Sequence, residues 1–549
     1  MLKIERDLIN SINSILGKVF PDARIDPSDV YLDAPKEKRF GDYSTNIAMR
    51  ISKLIKKPPM DAAAIVAAEI KNSAECSETI ESVKIEKPGF INLYLKDGAV
   101  PSELKEILEA GDKFGGSSAG NGRKAQIEFV SANPTGPLTV AHGRQAAIGD
   151  SLARILGFCG YKVTREYYIN DEGVQIQALG KSVKARLMEL LGAKSDFPEN
   201  GYKGQYVYDV AKRIKDSAAD QDLSAVSDDF FMEEACEDIM RTIIRDLEDF
   251  GVHFDEWFSQ KSLARTGKIE KTLDALRKKG FLFEQEGATW FRSTQFKDDK
   301  DRVVIKSDGS YTYVTPDMAY HREKFEKGYD KIIDILGPDH HGYILRIKAA
   351  CQALGYDAGK LHIMIAQLVT LYRSGNLVRM STREGEFITL REVMDEIGKD
   401  AARFFFIMRK VESHLDFDLE LAKQKTMDNP VYYIQYAHAR ISSIIAFRGD
   451  EKTGMDNLSL LDKTEELDLI KKLAQYPKAI INAGENLEPY TLLAYLQELA
   501  GAFHSYYNSH RIVTEDSLLT EARLSLAKAV KTVLSSGLGL LGVSAPEKM

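Results

Sequence analysis

Ala132, Asn133, Pro134, Thr135, Gly136, Pro137, Leu138, Thr139, Val140, Ala141 and His142 form a run whose chemistry suits a nucleoside triphosphate. The prolines stiffen it, and Gly136 lets a ligand approach the backbone. Thr139 and His142 offer a hydroxyl and an imidazole to phosphate oxygens. Far downstream, Arg379, Met380, Ser381, Thr382 and Arg383 put two guanidiniums in one stretch, a grouping that could grip a leaving pyrophosphate. Each run alone is weak evidence, because most strand-turn-helix loops only connect elements and a charged pentapeptide is often a solvated turn. The pair together reads as an ATP site.

Positioning such a site requires a strand and a helix around the first run. Ile127 and Phe129 fall on one face and Glu128 on the other, which predicts a strand over 125–130. Ala146, Ala147, Ile148, Leu152, Ile155 and Leu156 then recur at helical spacing until Gly157 and Gly160, and Val163, Arg165, Tyr167 and Ile169 alternate beyond them. This is a βαβ unit. Its first loop lies over a helix N-terminus, where unpaired N–H groups and the positive dipole end favour phosphate. The second run falls between the apolar stretch 361–371 and a helix that Thr389 could cap.

Composition sets the frame. A chain of 549 residues with 44% hydrophobic and 28% charged residues exceeds a single core and reads as a water-soluble, multidomain α/β protein. No apolar run reaches a membrane span and the first residues lack a signal-peptide core, so no membrane association is expected. Cys76, Cys159, Cys236 and Cys351 have no metal-binding spacing and fit thiols in a reducing cytoplasm, and the His340-His341 pair lacks further ligands, so no zinc site is expected. A net charge of −8 argues against a protein that coats nucleic acid. Cations gather locally at Lys36, Lys38, Arg39, Lys53, Lys56 and Lys57, either a phosphate-contacting surface or a solvated face.

Residues 1–112 mix helical and short strand patterns and end before a Gly/Ser-rich linker at 115–122. The nucleotide unit is interrupted by a charged, mainly helical segment over 187–271, then by Thr289, Trp290 and Phe291 with a turn at 307–310 that reads as a hairpin. From about residue 421 the pattern is nearly all helical. Gly537, Gly539 and Gly542 mimic a dinucleotide fingerprint but follow a helix, and read as a packing turn.

With these residues in view, the chain resembles the class I aminoacyl-tRNA synthetases, and within them the bacterial-type arginyl-tRNA synthetase family. The resemblance runs through Gly-Asp-Tyr-Ser-Thr-Asn at 41–46, Pro-Gly-Phe-Ile-Asn at 88–92, the 133–142 loop and Asn-Asp-Glu-Gly-Val-Gln at 170–175. It continues through Gly-Pro-Asp-His-His-Gly-Tyr at 337–343, the stretch 429–440 and Ser-Ala-Pro-Glu-Lys-Met at 544–549. Thr139-Val140-Ala141-His142 stands at the His-Ile-Gly-His signature, with Thr139 for the leading histidine and Ala141 for the glycine that packs on adenine. Arg379-Met380-Ser381-Thr382-Arg383 stands at the Lys-Met-Ser-Lys-Ser signature, with Arg379 and Thr382 replacing both lysines and Arg383 as the remaining cation.

The resemblance implies a Rossmann-like parallel-sheet catalytic domain at 122–420 with an insertion over about 187–325, an α+β N-terminal tRNA-contacting domain at 1–112, and an all-α anticodon-binding bundle at 421–549. It implies ATP with Mg²⁺, L-arginine and tRNA(Arg) as substrates, no protein-bound zinc, and a cytoplasmic monomer. Arginine carries a planar cation, which a carboxylate fork and an aromatic face suit. The family's guanidinium-binding residues map onto Glu128, Tyr313 and Asp317, and groups near the amino-acid backbone onto Asn133, Asp339 and His340. For Glu128 a salt bridge across the sheet edge is the alternative. Anticodon contacts are implied for the helix bearing Phe503, His504, Tyr506, Tyr507 and Asn508, and for Arg511 beyond it, although those aromatics could equally be core.

Overall fold

Five strands, Lys124–Glu128 (β1), Lys162–Ile169 (β2), Glu256–Ser259 (β3), Lys331–Leu336 (β4) and Leu361–Ile365 (β5), pair in parallel in the order β5-β4-β1-β2-β3. The computed structural model describes residues 3–35, 37–96, 99–217, 226–378, 387–449 and 455–549. β1 sits mid-sheet because both its faces are covered: Ala125, Gln126 and Ile127 are fully buried. From β1 the chain moves out through β2 and β3, then returns to the other side of β1 for β4 and β5. Such a reversal opens a crevice above the strands' carboxyl ends, the usual ligand position in open α/β sheets.

Helix Val140–Phe158 (α1) follows β1 and buries Ala146, Ala147, Leu152 and Ile155. Helix Val174–Leu190 (α2) follows β2, and helix Val314–Glu326 (α3) precedes β4. The predicted βαβ unit is therefore present. Two expectations are corrected. The segment 187–325 is not wholly an insertion, because Glu256–Ser259 within it joins the parallel sheet beside β2. Nor do 289–291 and the turn at 307–310 make a two-stranded hairpin: Ala288–Phe291 is the middle strand of an antiparallel sheet flanked by Leu282–Gln285 and Arg302–Ile305. The tight turn lies at Glu286 and Gly287, both at positive φ, while the 307–310 turn closes only an isolated Ile305–Tyr311 bridge.

Before the parallel sheet, Tyr43–Thr45, Ile80–Glu86 and Phe90–Leu95 form an antiparallel sheet packed by helices Lys3–Val19 and Pro59–Asn72. After it, Pro430–Arg448, Thr464–Ala474, Tyr476–Glu485, Pro489–Ser509 and Ser517–Leu540 are all helical. One buried joint ties this last region to the sheet layer. Arg403, fully buried, pairs with Asp150 of α1 at 2.6 Å and donates to the carbonyls of Phe250 (3.2 Å) and Leu541 (3.1 Å). Gly542 turns beside it at φ 68°, where a Cβ would overlap the guanidinium. Among the described residues no helix is long and apolar enough to cross a membrane.

Candidate active site

The loop after β1 begins with strain. Val130 (φ 67°) and Ser131 (φ 37°) both adopt positive φ, uncommon for any residue with a side chain and an outlier for a β-branched one. Neighbouring elements hold this bend in place. Ser131 Oγ donates to Glu128 Oε1 at 2.9 Å and accepts from the Tyr168 N–H at 3.1 Å. Tyr167 and Tyr206 donate their hydroxyls to the carbonyls of Ala132 (2.9 Å) and Thr135 (2.8 Å), and Asn133 donates to Gln175 at 2.6 Å. Pro134, Leu138 and Val140 are buried, whereas Gly136, Pro137, Thr139, Ala141 and His142 stay partly open.

Thr139 is the N-cap of α1, and its N–H donates to His142 Nδ1 at 3.1 Å. Because Nδ1 accepts that bond, the ring proton of a neutral His142 resides on Nε2. Burial pushes the imidazole down to about 4, with Asp339 opposing only in part. His142 is therefore neutral at physiological pH, with an N–H available to phosphate oxygen. We expect the KM for ATP to show no inflection near the ordinary histidine value of about 6.5. A kinetic titration from about pH 5.5 to 9 checks this, and an inflection in wild type that vanishes in His142→Asn would contradict it.

The crevice between β1 and β4 opens into a cavity of about 790 Å³ lined by Glu128, Asn133, His142, Tyr313, Asp317, Asp339 and His340 among others. His142, on the first turn of α1, thus shares one space with the acids, whereas Thr139, Val140 and Ala141 do not line it. Asp317 is 8% exposed, and its Oδ2 has no hydrogen-bond partner among the described residues. Burial first, then the charge of Glu128, raises its carboxyl well above the usual carboxylate range despite nearby Lys324. A buried acid in that condition calls for a cation. Tyr313, one turn before it, is 60% exposed at the cavity, and Asp339 is exposed beside half-buried His340. No group of three His, Cys, Asp or Glu among the described residues could hold a metal ion.

Residues 103–432 match the family model described as "tRNA synthetases class I (R), catalytic domain", 6–95 the "Arginyl tRNA synthetase N terminal domain", and 434–549 the "DALR anticodon binding domain". An arginine–tRNA ligase of Citrifermentans bemidjiense is 49% identical over 95% of both chains. The chain belongs to the arginyl-tRNA synthetase family. Among solved family structures, a putative arginyl-tRNA synthetase from Campylobacter jejuni aligns with TM-score 0.77 at 34% identity, covering 83% of this chain and all of that one. The Thermus thermophilus arginyl-tRNA synthetase shares the fold at TM-score 0.77 and 22% identity, covering 99% of this chain and all of that one.

Against the residues that the family resemblance implied, the structure brings together Glu128, Asn133, His142, Tyr313, Asp317, Asp339 and His340. Arg379, Met380, Ser381, Thr382 and Arg383 lie outside the described residues. The salt bridge considered for Glu128 exists, but to Lys324 of α3 at 2.5 Å beneath the cavity rather than across a sheet edge. Lys324, His321 and Asp334 were not singled out from the sequence. A signal was available, since Asp317, His321 and Lys324 are spaced to share one helical face and Asp334 interrupts an apolar strand. In the C-terminal bundle Phe503, His504 and Tyr506 are buried, which assigns them to the core, whereas Tyr507 and Arg511 line a surface cavity of about 650 Å³ with Tyr436, Arg440 and Phe447.

Proposed function

We propose that this chain joins L-arginine to tRNA(Arg) in two steps at the β1/β4 crevice, using ATP that enters as its magnesium complex. The observation that carries this reading is Asp317, a buried carboxyl whose Oδ2 has no hydrogen-bond partner among the described residues, in the same cavity as His142 on the first turn of α1. In the first step the arginine carboxylate attacks the α-phosphorus of ATP in line; the bond to the bridging oxygen breaks and pyrophosphate leaves. The transfer needs little covalent help, so positioning and charge do the catalysis. Asp317 and Glu128 take the guanidinium, Tyr313 covers it, and Asn133, Asp339 and His340 meet the amino-acid backbone. His142 Nε2–H, Thr139 and the helix N-terminus hold the phosphates. In the second step the terminal 2′-hydroxyl of tRNA attacks the carbonyl and AMP leaves.

Arg379, Ser381 and Arg383 close over the leaving pyrophosphate. Chain length supports their reach, because Thr389 bridges Thr139 and the Leu390 N–H donates to the Leu138 carbonyl at 2.8 Å. Arg383 lies six residues before Thr389 in the sequence. Residues 1–112 and 421–549 supply the tRNA-contacting and anticodon-binding domains around a catalytic domain at 122–420, and the enzyme works as a monomer in the cytoplasm.

The test is a charging assay with arginine, lysine and glutamine, together with arginine-dependent ATP–pyrophosphate exchange with and without tRNA. We expect charging with arginine alone and exchange only when tRNA is present. Charging with lysine or glutamine would refute the substrate assignment, and robust exchange without tRNA would refute the order of events.

A further inference from the structure

Four carboxylates stand side by side across the sheet. The parallel register pairs Glu256 with Glu166, Glu166 with Glu128 and Glu128 with Asp334, so one row carries an acid on each of β3, β2, β1 and β4. Like charges on adjacent strands repel, and Glu166, Glu128 and Asp334 are all buried. Two lysines offset two of its four formal charges. Lys324 of α3 places its Nζ 2.5 Å from Glu128 Oε2 and 2.6 Å from Asp334 Oδ1. Lys327, just past α3, bridges the other two, at 3.1 Å from Glu166 and 2.5 Å from Glu256.

The two lysines are not equivalent. The Lys324 side chain is 1% exposed, and both its acids line the cavity; that of Lys327 is 28% exposed, and neither of its acids does. We propose that Lys324 is a positioning residue of the arginine pocket: by clamping Glu128 to Asp334 it seats α3 over the crevice and leaves Asp317 as the acid that the substrate's cation must neutralise. This rests on the arginine reading above. His321 ties the same helix to β4 a turn earlier, with Nε2 at 2.9 Å from Asp334 Oδ2 and Nδ1 at 2.8 Å from the Asp317 carbonyl. With its ammonium committed to two acids, Lys324 makes no ion pair with Asp317, and a planar cation is left to meet that third acid.

The charged and titratable groups facing the ammonium are Glu128 on β1, Glu166 on β2, Asp334 on β4, Asp317, Tyr320 and His321 on α3, and Cys351 on helix Ile344–Leu354. The test compares wild type, Lys324→Met and Lys327→Met for the KM of arginine and of ATP from about pH 6 to 9. For Lys324→Met we expect the arginine KM to rise about tenfold or more with the ATP KM within about twofold, and for Lys327→Met an arginine KM within about threefold of wild type. The acid limb of log KM for arginine should also steepen by about one proton in Lys324→Met, because a second buried carboxyl now takes up a proton.

Equal arginine KM shifts in the two lysine variants, or a parallel rise of arginine and ATP KM, would overturn the proposal. If Lys324→Met does not fold, the double variant Asp334→Asn/Lys324→Met removes a facing charge along with the ammonium. The same arginine-specific deficit is expected there, and a normal arginine KM overturns the proposal. An unchanged arginine KM in Asp317→Asn would instead refute the arginine reading itself. Loss of arginine use in Asp317→Asn without loss in Lys324→Met refutes only the role of Lys324.

Discussion

Asp317→Asn should raise the KM for arginine about a hundredfold or more while leaving the KM for ATP within about threefold, and the free enzyme should gain thermal stability at pH 8. The first effect follows from removing the charge proposed to meet a desolvated guanidinium, a loss of about 3 kcal/mol or more. The second follows from linkage. An acid whose folded pKa is raised binds its proton more tightly in the folded state, so its contribution to stability falls as pH rises from the unfolded value of about 4 through the raised folded value. As pH rises through that window Asp317 increasingly costs the empty enzyme stability, and asparagine, nearly the same shape and uncharged, removes the cost. Calorimetric melting of the free enzyme and steady-state kinetics check both halves. A variant that loses stability at pH 8 would mean that Asp317 holds the fold together rather than awaiting a cation.

The second large effect is expected at the joint between the helical C-terminal region and the sheet layer. Arg403→Met should destabilise the protein by about 3 kcal/mol or more, since removing one partner of a buried pair strands the other. Burial lowers the Arg403 pKa, and Asp150 opposes it; Asp150 in turn is held below its usual value because Arg403 and Arg154 outweigh its own burial. Arg154 at 2.7 Å and Arg165 at 3.5 Å keep Asp150 partly paired, which places the effect near the low end of the ~3–5 kcal/mol range for such losses. The Leu541 and Phe250 carbonyls lose a donor as well. Gly542→Ala should weaken the same joint, because its Cβ would enter the space of the guanidinium and its positive φ disfavours a side chain. Urea unfolding midpoints equal to wild type in both variants would contradict this role for Arg403.

Much of the fold was legible because its signals were local. The alternation around Ile127 and Phe129 and the helical spacing after Ala146 are set by neighbours within a few residues, so the strand, loop and helix around Asn133 to His142 could be read from sequence. β3 was missed for a physical reason. Glu-Trp-Phe-Ser at 256–259 is a half-buried edge strand between charged helices, and it has no apolar run to announce it. The hairpin was misplaced because Ser-Asp-Gly-Ser at 307–310 is a strong turn signal, whereas Glu286-Gly287 makes the tighter connection.

Within the site, Glu128 and Asp317 could be named from the family resemblance, but the acid row could not. Glu256, Glu166, Glu128 and Asp334 become neighbours only through strand register, a long-range property that no local pattern encodes. Phe503 and Tyr506 illustrate the converse. Helical spacing predicted their helix correctly, while packing against neighbouring helices decided that they face the core.

The most direct test of the central claim is a crystal structure with a non-hydrolysable arginyl-adenylate analogue. The account predicts the guanidinium on Asp317 Oδ2 and Glu128, with the phosphate within hydrogen-bond reach of His142 Nε2 at the start of α1. An analogue bound with Asp317 Oδ2 still unpartnered, or with its phosphate away from α1, would contradict it.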